Sequence, residues 1–396
     1  MSLIRELKAL PRTAWILFGG ALVNRFGSFV LVFLVLYLKD SGYSVTQAGL
    51  TMSAYGVGAV GAAAVGGYLA DTFGRRNTIV LSMALSAVGM LALSRADSLA
   101  SFIALAIVAG ATSELYRPAG AALLTDITRA DQRVTAFAAY RLAINLGMAI
   151  GPAVGGLLAE HSFFYLFVGD AVTSAAFGLV ALFALSNTTA PHERTITGDS
   201  GTGAIFRDRY FMIFLIAATL GAFVYMQALT GYPLQIDAYG FSAKIYGLLI
   251  SVNGFLVMAI ELPITQITRR HNPQSVMFIG FVLVAIGFAM TGFVSSLALL
   301  IVSVVIWTMG EIIMVPVAAA HVANIAPAHM RGRYQGAFGM TWGIGGVLAP
   351  ILGALLFAWN AQMLWVICGI VCLIGGVLVG TGKPGKRGES VEREPD

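Results

Sequence analysis

Runs of about twenty apolar residues, separated by short polar turns, repeat along the whole chain. Twelve of them are predicted to be membrane-spanning helices, over 14–38, 48–70, 77–94, 99–123, 134–158, 163–185, 210–232, 243–267, 275–293, 298–321, 334–358 and 362–381. The one long polar interior segment, SNTTAPHERTITGDSGTGAIFRDR over 186–209, has the Gly, Ser, Thr and Pro content of a linker. The expected organisation is an all-α membrane protein: a six-helix bundle over 1–185, a cytoplasmic linker over 186–209, a second six-helix bundle over 210–381, and a polar cytoplasmic tail over 382–396.

Composition agrees with a chain that lives in lipid. Of 396 residues, 58% are hydrophobic and 11% charged, and the mean hydropathy is +0.83. A soluble domain carries about 25% charged residues, so there is too much apolar surface here for a water-soluble core to hide. The opening MSLIRELKALPRTAW is basic and then apolar, as in a signal peptide. The apolar run after it is too long and no small-residue cleavage site stands out, so it is expected to stay as the first helix. Cys368 and Cys372 lie four apart on one apolar run and are expected to pack rather than to bind metal or carry redox chemistry.

Charge sets the expected orientation. With the N-terminus inside, the inner segments hold eighteen of the 24 Lys and Arg residues, and the outer segments hold Lys39, Arg95 and Lys244. Both termini are therefore expected in the cytoplasm, and the net charge of +5 is a topology signal, not a sign of nucleic-acid binding.

The two halves echo each other. RVTAFAAYRLAINLGMAIGPAVGG begins at Arg133 and RGRYQGAFGMTWGIGGVLAPILGA at Arg331, an offset of 198. At that offset Gly147 meets Gly345, Pro152 meets Pro350, Gly155 meets Gly353 and Pro118 meets Pro316. Duplicated halves with a site between them are a transporter architecture.

Two short motifs sharpen this. GYLADTFGRR, 67–76, ends span two: Gly67 and Gly74 allow a tight turn and close helix approach, Asp71 can cap a helix or pair with arginine, and Arg75 and Arg76 anchor the inner face. GMAIGPAVGG, 147–156, places Gly147, Gly151 and Gly155 four apart as a smooth packing stripe, with Pro152 loosening the backbone and Gly156 beside it. The first motif resembles the signature loop of the major facilitator superfamily, and the second resembles the antiporter motif on span five of its proton-coupled drug exporters. The resemblance covers essentially the whole chain and is nearest in pattern to bacterial twelve-helix drug:proton antiporters. It implies two pseudo-symmetric six-helix bundles, an inner gate at Asp71, Arg75 and Arg76, and a role in proton handling for Arg117. The loop after span eight, ELPITQITRRHNP, keeps the arginines but lacks the Asp and Gly of the first-half motif, so the inner gate is expected to be asymmetric.

The charges inside the spans are the candidate chemistry, because each costs about 2.5–3.5 kcal/mol near the membrane centre. Glu114 and Arg117 share a helix face at i and i+3. Arg141 is expected at similar depth on the next helix, so Glu114 is expected to neutralise Arg117, Arg141 or both. Protonation of Glu114 would loosen that cluster; a static ion pair that fixes helix packing is the alternative. Glu311, near mid-membrane in span ten with no cation close in sequence, is expected to exchange a proton and attract cationic substrates. Trp307, one turn away, is expected to stack on a cation. Arg25, beside Asn24 in span one, is expected to partner Glu311 or the substrate. Asn145 shares a polar face with Arg141. Tyr116, Tyr140, Tyr225 and Trp342 are candidate cavity aromatics, and Met314 would make the cavity adaptable, with core packing the alternative for each. Glu261, just before Pro263, belongs either to the inner gate or to a solvated position. Asp170 is placed toward the outer side of span six, in an outer vestibule or at the headgroups.

The expected function is proton-coupled efflux of amphiphilic, often cationic small molecules by a monomer in the bacterial inner membrane. Its partners would be the substrate, protons and the bilayer, with no cofactor, metal or nucleic acid. A dedicated carrier for a sugar, peptide or siderophore is the alternative, since three arginines can bind an anionic group. A membrane sensor or scaffold without transport is a third reading. An enzyme is not expected: the spans hold no histidine–carboxylate set with metal spacing and no nucleophile motif.

Overall fold

The computed structural model describes residues 3–129, 131–187, 207–327 and 330–381. Most of the predicted linker (188–206) and the whole predicted tail (382–396) lie outside the described residues. After α1 (Leu3–Lys8), span one consists of α2 (Arg12–Phe26) and α3 (Phe29–Asp40), span two is α4 (Val45–Thr72), and span three is α5 (Arg75–Leu93). Span four is split into α6 (Leu99–Glu114) and α7 (Tyr116–Ile127); spans five and six are α8 (Arg133–His161) and α9 (Phe164–Ala184). Span seven runs as α10 (Arg209–Met226), a 3-10 turn (Gln227–Leu229) and α11 (Gly231–Ala238). Spans eight to twelve are α12 (Ala243–Thr268), α13 (Pro273–Thr291), α14 (Leu297–Ile325), α15 (Arg331–Trp359) and α16 (Ala361–Thr381). Twelve of these segments are long and apolar enough to cross a bilayer, and no strand occurs among the described residues.

Local chemistry sets the ends. Ser44 accepts from Gln47 N–H while the Gln47 side chain accepts from Ser44 N–H, a capping box that starts α4. Ser98 and Ser101 do the same for α6, and Asn272 caps α13 with Pro273 in its first turn. Gly74 takes a φ of 98°, open to glycine, at the turn between spans two and three.

The sequence repeat is a structural repeat. Spans three, four and five begin at Arg75, Leu99 and Arg133; spans nine, ten and eleven begin 198 residues later at Pro273, Leu297 and Arg331 and have the same lengths. Within the first half, span one packs on five, two on four and three on six; in the second half, seven packs on eleven, eight on ten and nine on twelve. The halves meet where span five crosses eight and span two crosses eleven.

Those crossings are close only over the half of the molecule away from the arginine-rich turns. A Cβ on Gly247 would stand 2.2 Å from the Pro152 carbonyl oxygen, one on Gly254 would stand 2.6 Å from Ala149 Cα, and one on Gly56 would stand 2.5 Å from the Gly346 carbonyl oxygen. Ser251 Oγ accepts from Ala153 N–H at 2.9 Å, and Ser53 Oγ accepts from Ile351 N–H at 3.0 Å. Both amides follow directly after a proline, Pro152 or Pro350, so a serine of the facing half bonds each helix at the place where proline interrupts its hydrogen-bond ladder. Lys39–Asp237 and Lys244–Glu160 pair across the same end. Toward the arginine-rich end, a Cβ on Gly61 or Gly67 of span two, or on Gly336 or Gly339 of span eleven, would meet no other element within 4 Å. The expected close approach at Gly67 is therefore not made: the helices have diverged before they reach it. The bundle is closed at one end and splayed at the other. Gly247→Ala is expected to weaken the seam by about 1–3 kcal/mol, because backbone and not a flexible side chain meets the new methyl. A thermal melt of the purified protein reads this, and an unchanged melt would mean that the seam yields freely.

Candidate functional site

Span one is broken at Gly27–Ser28, where the chain leaves helical hydrogen bonding before α3 starts. The glycine stripe of span five explains how the break is held. A Cβ on Gly147 would lie 2.7 Å from Phe26 N, one on Gly151 would lie 2.5 Å from the Phe26 carbonyl oxygen, and one on Gly155 would lie 2.8 Å from the Phe33 ring. Only glycine lets α8 lie against the broken backbone. The remaining motif residues, Pro152 and Gly156, face span eight instead, with Gly156 against Lys244. Span five thus grips span one on one face and the opposite half on the other.

Arg25 ends α2 just before the break. Its guanidinium meets Glu114 at 2.9 Å and lies 5.8 Å from the centre of the Tyr116 ring. Glu114, at the split between α6 and α7, also takes Arg117 at 2.8 Å. Glu114 therefore neutralises Arg117, as expected, but its second partner is Arg25 and not Arg141. Arg25, expected to partner Glu311 or the substrate, is in turn paired with Glu114. The reason is that α2, which carries Arg25, packs beside α7 of span four. The burial of the two arginines differs sharply: the Arg25 side chain is 9% exposed and that of Arg117 is 57% exposed.

Several expected cavity residues turn into the core of the first half. Asn24 is buried with its amide on Met83 and Ser174. Tyr116 packs edge-on to Phe177, and Tyr140 lies against Phe18 with its ring buried. Asn145 is half-buried on span five. Asp170 is neither in a vestibule nor at headgroups: it is buried, and its Oδ2 accepts from Val30 N–H, at the start of α3, at 3.4 Å. Helical neighbours point about 100° apart, so an apolar run alone could not say which of its polar residues faces inward.

Arg141 pairs with Glu261 of the opposite half. Its side chain is more than half exposed, and that of Glu261 is mostly buried. This joins spans five and eight below the closed seam, so Arg141 meets Glu261 rather than Glu114, and Glu261 is paired rather than merely solvated.

Glu311 occupies the place in the second half that Glu114 holds in the first, one residue short of the 198 offset. Its surroundings differ in kind. Tyr225 Oη donates to Oε1 at 2.9 Å and Asn253 Nδ2 donates to Oε2 at 2.8 Å. No ion pair to Glu311 occurs among the described residues. Asn253 also donates to Thr308 at 3.0 Å. Glu311 shares a cavity of about 30 Å³ with Met314, Trp342, Tyr225, Phe281 and Phe338, room for a water or two. Trp342 stands edge-on to Tyr225 at 5.4 Å. Trp307 is behind this wall, 1% exposed and against Phe288, so it does not offer its face to a ligand. The close approach of span nine at Gly287 covers it. Sequence reasoning missed Asn253; its trace was a lone amide in an apolar run.

At the gate motif, Arg75 is buried, pairs with Asp126 of span four at 3.0 Å and with Asp71 at 3.9 Å, and donates to the Ala70 carbonyl at 3.2 Å. Arg76 donates to the Asn77 side chain. These bonds stay within the first half.

The sequence profile of the Major Facilitator Superfamily matches residues 17–313 and 232–395. The chain is 27% identical over 361 residues to the uncharacterized MFS-type transporter YqjV of Bacillus subtilis (strain 168), covering 89% of this chain and 88% of that one. It is 26% identical over 395 residues to a Na(+), Li(+), K(+)/H(+) antiporter of Planococcus maritimus, covering 91% and 93%. To the multidrug resistance protein MdtH of Yersinia pestis (strain Pestoides F) it is 22% identical over 387 residues, covering 94% of each. Among solved structures, the nucleoside transporter NupG superposes with a TM-score of 0.78 at 17% identity over 93% of this chain and 98% of that one. A D-xylose-proton symporter superposes with a TM-score of 0.76 at 15% identity over 97% and 98%. These structural likenesses speak for the fold. With the profile match along the chain, twelve spans and the 198-residue repeat, the protein belongs to the major facilitator superfamily and is a multi-pass transporter of the bacterial inner membrane.

Proposed function

We propose that the protein exports amphiphilic, cationic small molecules in exchange for protons, with Glu311 as the carboxylate that carries the proton. The observation behind this is the contrast between the two related carboxylates. Glu114 is held between two guanidinium groups, so protonating it breaks two ion pairs. Glu311 has two neutral donors, so it gains or loses a proton without leaving a cation stranded. The aromatic and methionine wall beside it suits the apolar part of such a substrate. The name carried by one relative, an alkali-cation/proton antiporter, supports exchange with protons, and that of another, a multidrug resistance protein, supports a drug-like substrate.

In this reading the arginine-rich end faces the cytoplasm, following the charge bias, and the splayed end is the inward opening. The halves 1–185 and 210–381 are the moving bodies and 186–209 is their link. Arg75, Asp71 and Asp126, paired with one another, form the first half's part of the inner gate. Reconstitution in liposomes with an imposed pH gradient tests the function. Ethidium and related organic cations are expected to accumulate against their gradient and to lose that accumulation on adding an uncoupler. Dissipation of the gradient by sodium or potassium alone would overturn the substrate class in favour of alkali-cation exchange.

A further inference from the structure

Span six carries a carboxylate that the ion-pair network leaves out. Asp170 is 4% exposed, and no ion pair to it occurs among the described residues. The groups around it are neutral at hydrogen-bond range. Val30 N–H donates from the first turn of α3, and Ser174, one turn along α9, is in turn reached by the Asn24 amide at 3.5 Å. The charged and titratable groups facing it come from other elements: Arg25 of α2 and Tyr55 of α4 lie within electrostatic reach, with Glu114 of α6 beyond them. The α5 side contributes Met83. Arg25 is committed to Glu114 and to the Tyr116 ring.

We propose that Asp170 is a second proton-exchange site, separate from Glu311, whose protonation state sets the break in span one. Two opposed influences act on the carboxylate. Burial without an ion pair penalises its charge, and the N–H groups at the start of α3 favour it. The step is acid–base alone. A proton from water adds to one carboxylate oxygen, the charge is removed, and that oxygen becomes a donor. The bond to Val30 N–H then loses its charge assistance, which loosens the first turn of α3.

The surroundings transmit such a change. A Cβ on Gly27 would stand 1.8 Å from Thr173 Oγ1, and a Cβ on Gly169 would stand 2.8 Å from the Phe29 ring, so span six grips the break as closely as span five does from the other side. Span five bonds to span eight across the seam. A shift of α3 against α8 and α9 therefore reaches the closed end, where Tyr246 donates to the Val32 carbonyl at 3.2 Å. The matching position in the second half, 198 residues on, is Cys368, buried on span twelve, so the device belongs to the first half alone.

Infrared difference spectra of the purified full-length protein over an acid-to-alkaline pH series test this. Two protonated-carboxyl bands are expected on acidification. Asp170→Asn removes one, Glu311→Gln removes the other, and the double variant removes both. Where Asp170→Asn does not fold, Ser174→Ala is expected to shift the same band in folded protein and leave the Glu311 band in place. A titrating carboxyl signal unchanged by both Asp170→Asn and Ser174→Ala would overturn the proposal. A wild-type spectrum that has the Asp170 band, and in which Glu311→Gln removes no band, would overturn the coupling role of Glu311 and leave this site standing.

Discussion

Glu311→Gln abolishes uphill efflux driven by a pH gradient and leaves the protein folded. The glutamine keeps the shape of the side chain and an oxygen for Tyr225 or Asn253, so the expected stability change is about 1 kcal/mol, the worth of one neutral hydrogen bond. What it loses is the proton. In liposomes the variant is expected to fall to the level of uncoupler-treated wild type, while downhill exchange of substrate continues. The rate of that downhill exchange should depend on pH in the wild type, and the variant should lose the part of that dependence that Glu311 supplies, because the titrating group at the site is gone. Wild-type uphill transport by Glu311→Gln would remove Glu311 from the coupling reaction. Tyr225→Phe is the companion variant: it takes away one donor at 2.9 Å and leaves the carboxyl, so coupling should survive with an altered pH profile.

Glu114→Gln destabilises the first half by about 3–5 kcal/mol, the typical cost of removing one partner from a buried ion pair. The loss comes from Arg25, which is buried, far more than from Arg117, whose side chain is 57% exposed and can reach water. The rescue is accordingly specific. Adding Arg25→Gln to Glu114→Gln is expected to recover most of the stability, and adding Arg117→Gln is expected to recover little. Thermal melts of the single and double variants form two double-mutant cycles that separate the pairs. Equal rescue by both would show that water reaches Arg25 as freely as Arg117. A stable Glu114→Gln/Arg25→Gln protein that transports normally would make the cluster a packing device with no part in coupling.

Much of the architecture was legible because lipid imposes it. A spanning helix must satisfy its own backbone and face hydrocarbon, so twelve apolar runs located twelve spans to within a few residues at most ends. Duplication left an offset that single residues such as Pro152 and Pro350 betray, and the observed helix starts repeat at that same offset. The stripe at Gly147, Gly151 and Gly155 was readable as a packing face, since four-residue spacing fixes a common side of a helix whatever lies opposite.

The pairings were not legible. Sequence separation says nothing about which of seven intramembrane charges meet when the distance between partners is set by which helices pack together. Arg25 reaches Glu114 over 89 residues because α2 packs beside span four, and Arg141 reaches Glu261 over 120 because span five crosses span eight. Asn24, Tyr116 and Tyr140 looked like cavity residues, and the rotation of their helices buries them in the first half. The sequence by itself determined the medium, the number and repeat of the spans, and the short list of charges, because each follows from the local cost of placing polar groups in hydrocarbon. Only the tertiary structure decided that Glu114 is ion-paired, that Glu311 faces neutral donors and that Asp170 lies at the start of α3, because the state of a buried carboxylate depends on the few atoms within about 3 Å of it, and those come from other helices.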